Sequence, residues 1–276
     1  MKRPLFFLLF LLVSITVCHC QKKMDEPLTY KDELDFGWSN IDDTLQLKAK
    51  SKILAPIRFA FYSKEDGSEL NSFLLRPKDS LVLLKYYGNR TDSIYLKKIK
   101  DSIRIGYTWG HEQLIEPNLD YRYRLPFKKG KKYEVSQGFN GKTSHNSIRS
   151  KYAIDFQLDV GEPVYAAREG TVVQVVDWFT KQGGTELINS ANRIVILHDD
   201  GTMAFYVHLD YEGSFVEEGQ KVNKGDKIGI SGVTGYTRGP HLHFVVRKEN
   251  NTAIPIYFEG YEGKVLKKGK KYKVKS

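Results

Sequence analysis

Cysteine is all but missing from this 276-residue chain: the two present, Cys18 and Cys20, both sit in an N-terminal apolar segment. A disulfide scaffold or a thiolate zinc finger is therefore excluded for everything downstream, and any metal there must be held by histidines and carboxylates. Long apolar runs are lacking too. The N-terminal segment has an apolar core of about thirteen residues, well short of the roughly 20 that a spanning helix needs. No helical period is sustained in the second half of the chain, and there is no internal repeat. What remains is ordinary globular material, 41% apolar and 28% charged, of a length that suits two domains. Lys and Arg outnumber Asp and Glu by 43 to 33, a net charge of +10. Such a surplus suits an anionic partner, whether nucleic acid, membrane surface or acidic wall polymer.

Lys2 and Arg3 precede the apolar stretch that runs from Leu5 through Val17, and a charged run begins at Lys22. This order reads as a secretory signal over residues 1–20, with Cys18 and Cys20 at the two small-residue positions before the cleavage point. The expectation is an exported protein, periplasmic or secreted. A lipid-modified Cys18 or Cys20, and hence a membrane-attached lipoprotein, is the competing reading, against which Val17 and His19 stand as poor neighbours for a lipidated cysteine.

From about Thr44 to Thr108 short alternating or β-branched runs, such as Leu45–Ala49, Ile57–Tyr62 and Ser80–Leu84, are separated by turn clusters such as Glu65-Asp66-Gly67-Ser68. Strands with turns every ten or so residues predict a small antiparallel sandwich for residues 21–125. That region has no cluster of histidines or paired acids and reads as a spacer or binding domain. His111-Glu112-Gln113-Leu114-Ile115 begins like a helical zinc-protease motif, but Ile115 stands where the second histidine is needed, so His111 reads as a surface residue. The boundary is expected near Leu125. Beyond it, over 126–276, glycine becomes frequent and five of the seven histidines lie between His145 and His243. Strand-like runs at Tyr152–Leu158, Thr171–Val176, Arg193–Leu197, Met203–His208, Lys227–Ile230 and Leu242–Arg247 predict a mostly antiparallel sheet.

The strongest chemical signal is Gly239-Pro240-His241-Leu242-His243-Phe244. Strand side chains alternate, so His241 and His243 share one face while Leu242 and Phe244 bury on the other. Tyr206-Val207-His208-Leu209 repeats the pattern and places Tyr206 with His208. Asp155, between Ile154 and Phe156, must point away from the core face they share, and a charge in so apolar a strand requires a partner. His145, in the polar loop 141–146, is free to supply one. Taken singly each of these histidines reads as a surface or hydrogen-bonded residue, but five such polar positions in one β-rich half point to a common site.

Together these residues identify a resemblance. From about Phe127 onward the chain resembles the lysostaphin/LytM-type zinc endopeptidases of bacterial cell-wall turnover, through Gln137-Gly138-Phe139-Asn140-Gly141, Ser144-His145, Tyr152–Phe156, Tyr206–Leu209 and Gly239–Phe244. The resemblance implies a mainly β protein whose C-terminal domain is an antiparallel-sheet peptidase with one Zn2+ per chain. By the family pattern His145, Asp155 and His243 hold the zinc, and His208 and His241 are catalytic, acting on water and substrate. Nine residues separate His145 from Asp155, where the shortest family pattern has three, so a longer loop must return His145 to the site. Two imidazoles and one carboxylate leave a fourth tetrahedral position open, as catalytic zinc sites do.

The function so implied is hydrolysis of peptide bonds in peptidoglycan cross-links or stem peptides, peptidoglycan peptides being the partner. The alternative is a non-catalytic relative that binds and activates another wall hydrolase. The lysines at 264, 267, 268, 270, 271, 273 and 275 read as a solvated edge, or as a contact for anionic wall polymer or a membrane surface. With little aromatic interleaving they do not suit nucleic acid. One expectation needs the sequence alone: the exported protein begins at Gln21, as intact mass and N-terminal sequencing will show, whereas a diacylglyceryl-modified cysteine would place it among lipoproteins.

Overall fold

The computed structural model describes residues 24–42, 44–87 and 93–275. The signal segment expected over residues 1–20, with Cys18, Cys20 and its cleavage point, lies outside the described residues. The chain is mainly β. Its first half holds two antiparallel three-stranded sheets. One joins β1 (Leu34–Ile41), β2 (Thr44–Ser51) and β5 (Ser80–Tyr87), in the order 1-2-5. The other joins β3 (Ile57–Ser63), β4 (Glu69–Leu75) and β6 (Ile103–Trp109), in the order 4-3-6. A ten-residue helix, α1 (Ser93–Ser102), enters β6 directly. The alternating patterns around it carry no sign of this helix.

The second half is built on one large sheet. Its middle strands run β9 (Gly170–Val176), β10 (Arg193–Leu197), β11 (Met203–Val207), β12 (Leu242–Lys248), β8 (Ile154–Phe156) and β7 (Lys132–Gln137) in spatial order. Lys271–Lys273 pairs with β7 at the edge, which sets Lys273 opposite Lys132. Lysine on an exposed edge discourages strand addition.

Alternation along these strands sorts two cores. Ile154, Phe156, Tyr206, Phe244 and Ile194 pack on one face, where all are fully buried. Tyr123 and Leu125, just before the expected boundary, belong to this same core. On the other face Val195, Met203, Phe205 and Val245 join a cluster with Leu47, Phe59 and Trp109 of the first half. The two halves are thus glued by shared apolar burial. Polar ties reinforce the joint: the Trp178 indole donates to the Glu26 carbonyl at 2.8 Å, and the Thr180 amide donates to Asp25 at 2.8 Å.

His111 is not at the surface. It is 2% exposed and caps the short turn Glu112–Leu114, its Nδ1 accepting from the Gln113 amide at 3.2 Å. Its neighbours are Gln113, Glu112 and Arg58, and nothing in the local sequence signals that these would gather round it.

Because the core is shared, Phe59→Ala should lower stability by about 3–5 kcal/mol, the usual range for a buried Phe truncation. Urea unfolding of wild type and variant measures this, and both halves should unfold in one transition.

Candidate metal centre

One row of directly opposed residues crosses the large sheet: Gln137, Asp155, His243, Val207 and Arg193 sit on adjacent strands β7, β8, β12, β11 and β10. Opposed residues in antiparallel pairs project to the same face. The row therefore delivers Asp155 and His243 to one spot while Ile154, Phe156, Leu242 and Phe244 go to the core. His145 arrives from the loop between β7 and β8. Ligand atoms of His145, Asp155 and His243 all lie within 4.8 Å of one another.

Asp155 Oδ1 is the shared vertex, 3.1 Å from His145 Nε2, 2.8 Å from His243 Nδ1 and 3.8 Å from His241 Nε2. Burial alone favours the neutral acid, but contacts with His145 and His243 outweigh it and hold the Asp155 carboxyl well below the usual carboxylate range. His145 Nδ1 lies 2.9 Å from the Gly138 carbonyl, so that nitrogen carries the proton and Nε2 of the neutral ring presents a lone pair to Asp155. Two lone pairs face each other at hydrogen-bond distance. Only a proton or a cation between them makes that contact favourable. Burial opposes a charge on His145, yet Asp155 and the Gly138 carbonyl more than offset it and raise its pKa. The set fits a metal: a tetrahedral cation about 2.0–2.1 Å from each donor needs donors roughly 3.3 Å apart.

The two remaining imidazoles are anchored the same way. His208 Nδ1 donates to the Thr234 carbonyl at 2.7 Å and His241 Nδ1 to the Gly239 carbonyl at 2.9 Å, so each turns Nε2 inward. Their rings are 4.6 Å apart. Burial, aided by charge on His241 and His243, pushes His208 down to about 3, which keeps it neutral. Strand alternation put Tyr206 and His208 on one face, and here the structure differs. Tyr206 is in the core with its hydroxyl accepting from the Ala167 amide at 2.8 Å. His208 has φ +66, a left-handed kink just past β11 that swings its ring to the other face. The fifth histidine of this half, His198, takes no part: it is buried, its Nδ1 donates to the Glu169 carbonyl at 2.7 Å, and burial lowers it to about 4.

Gln137 is the functional residue that the sequence reading quoted without a role. Its Nε2 donates to Asp155 Oδ2 at 3.0 Å and to Ser144 Oγ at 2.7 Å, while its Oε1 accepts from the Thr143 and Ser144 amides. One side chain thus ties the His145 loop to the carboxylate. Gly141 makes room for it, since a Cβ there would sit 2.3 Å from Gln137 Cγ.

Residues 149–255 match the family model described as Peptidase family M23. The C-terminal half of the chain carries an M23 peptidase domain. His145 lies just before the matched M23 region and is placed in the cluster by the fold. Over 116 residues the domain is 33% identical to the Peptidoglycan DD-endopeptidase ShyA of Vibrio cholerae serotype O1, covering 41% of this chain and 24% of that protein. Over 120 residues it is 36% identical to the Glycyl-glycine endopeptidase ALE-1 of Staphylococcus capitis, covering 43% and 28%. The match thus spans under a third of these relatives' own length. The catalytic domain of lysostaphin from Staphylococcus simulans is 31% identical, with 47% of this chain and 88% of that one covered at a TM-score of 0.33.

Outer partners of metal ligands typically carry 10–100-fold in affinity. Gln137→Leu should therefore weaken metal binding by about that factor with the fold retained. Competition against a chelator, alongside circular dichroism, reads both.

Proposed function

We propose that this protein is a zinc metalloendopeptidase that hydrolyses peptide bonds in peptidoglycan, with His145, Asp155 and His243 as the zinc ligands and His208 and His241 as the catalytic pair. The observation that carries this reading is the convergence of His145 Nε2 and His243 Nδ1 on Asp155 Oδ1, held in place by separate backbone and Gln137 contacts, beside two further imidazoles turned inward. When bound, the zinc ion supplies Lewis acidity, which polarises a scissile carbonyl and makes water nucleophilic at neutral pH. The chain's own residues do the rest. His208, whose Nδ1 is tied to the Thr234 carbonyl, turns Nε2 toward the attacking water and accepts its proton. His241, whose Nε2 also turns inward, faces the oxyanion that develops on the carbonyl, and the proton taken up by His208 passes to the leaving amine. The cleft holding these groups has a volume of about 1320 Å³, room for an extended peptide.

Export through the N-terminal segment belongs to the same proposal, since the substrate lies outside the cytoplasm. The lysine-rich edge around Lys271 and Lys273 supplies a contact for anionic wall polymer or a membrane surface.

Elemental analysis should find one zinc per chain, and His243→Ala should lose it. His208→Ala and His241→Ala should keep the metal and the fold, yet each lose roughly 10²–10⁴-fold in peptidoglycan hydrolysis. The double variant should fall by less than the product, because groups acting as one unit are not additive. Near wild-type cleavage by the double variant, at unchanged zinc content, would overturn the catalytic assignment. Zinc binding without hydrolysis of purified peptidoglycan would instead indicate the hydrolase-activating role.

A further inference from the structure

The cleft does not end at the histidines. The same face of the sheet carries Arg193 on β10 and Arg247 on β12, and Arg149 follows on the loop that holds His145. Arg193 lies in the row of Asp155 and His243, two strands beyond His243, which at strand spacing is about 10 Å. Arg247 lies four residues along the strand from His243, about 13 Å. The Arg247 Nε donates to the Arg149 carbonyl at 2.9 Å, which ties the loop to the strand. Its guanidinium stacks over Phe205 at 4.3 Å from the ring centre. Arg193 donates to Gln174 Oε1 at 2.8 Å.

None of these three arginines pairs with a carboxylate among the described residues. The acid that acts on Arg193 is Glu33 of the first half, which forms no ion pair with it and whose Oε2 accepts from the Tyr107 hydroxyl at 2.9 Å and the Trp109 indole at 3.2 Å. Burial pushes both Arg193 and Arg247 down from their ordinary range, and for Arg247 the charges of Arg149 and Arg193 add to the effect. Cations that share one cleft, two of them partly buried and none in an ion pair, are costly unless a ligand supplies an anion. The usual structural fate of a cleft arginine is a bridge to a nearby acid, as Arg168 makes with Asp199 and Asp200 elsewhere in this molecule.

We propose that Arg149, Arg193 and Arg247 form a subsite for a free carboxylate on the peptide being cleaved, about three to four residues from the scissile bond. The ligand's identity rests on the hydrolase reading, whereas the subsite itself rests on the guanidinium cluster. An extended chain advances about 3.3–3.6 Å per residue, so the stated distances from His243 translate directly into that spacing. Arginine's planar fork suits a carboxylate, which it grips through paired hydrogen bonds. The cluster therefore selects peptides that carry acid groups along their length, as direct cross-links between stem peptides do. A glycine bridge, uncharged along its length, offers it nothing.

The test uses a cross-linked peptide dimer with free carboxylates and the same dimer amidated. With the zinc-loaded protein, kcat/KM should favour the acid by roughly 10- to 100-fold, the scale of charge-assisted hydrogen bonds. Calorimetry on the metal-free protein should show the same preference in Kd. In Arg193→Gln/Arg247→Gln the acid-to-amide ratio should fall to near one by both readouts. Arg149→Gln, at an exposed position, should lower it partially and guards against loss of fold in the double variant. Equal cleavage and equal binding of acid and amide by the wild type would overturn the subsite and leave the hydrolase standing. Preferential, arginine-dependent binding of the acid with no cleavage of either dimer would keep the subsite and overturn the hydrolase.

Discussion

The architecture of the site depends on one buried charge. Asp155 is placed on a three-residue strand between two fully buried apolar neighbours, where an uncompensated carboxylate is prohibitively costly. Its neighbours answer that cost in a fixed geometry. Two imidazoles meet Oδ1, Gln137 meets Oδ2, and Gln137 in turn clasps the loop that carries His145. Asp155 is 6% exposed, so the groups around it are held by electrostatics as well as by packing. That is the preorganisation a metal site demands.

The first half of the chain has a structural part in the same site. One face of the large sheet does two things: Met203, Val195 and Val245 pack against the N-terminal sheets, while His243, Arg193 and Arg247 line the cleft. Tyr107 and Trp109, at the end of β6, sit on the border and form one wall of the cleft together with Glu33. The N-terminal half thus lines part of the cleft and, among the described residues, supplies none of the metal-facing groups. His111, buried beside Arg58 and Glu112 at the end of this half, lies outside the metal-facing cluster.

Much of the centre was legible before any fold was known. Spacing by two residues put His241 and His243 together, and the apolar flanks of Asp155 turned its carboxylate away from the core; strand register then joined them. What could not be read was conformation without periodicity. His208 escapes the alternation rule through a single positive φ, so its neighbour Tyr206 was assigned to the wrong face. Helix α1 is short and half polar, and nothing in its sequence outweighs the strands around it. The part played by Gln137 depends on four hydrogen bonds to two segments, none visible along one strand.

By itself the sequence determined the class of chain, the absence of any thiol ligand beyond the first twenty residues, and the residue types able to gather round a metal, because composition and side-chain alternation are local properties. The fold alone decided how the loop brings His145 Nε2 to 3.1 Å from Asp155, that the two halves share a core, and that Arg149, Arg193 and Arg247 line one cleft. These are contacts between segments far apart along the chain. Their energies come from burial and charge placed in three dimensions, which no local pattern encodes.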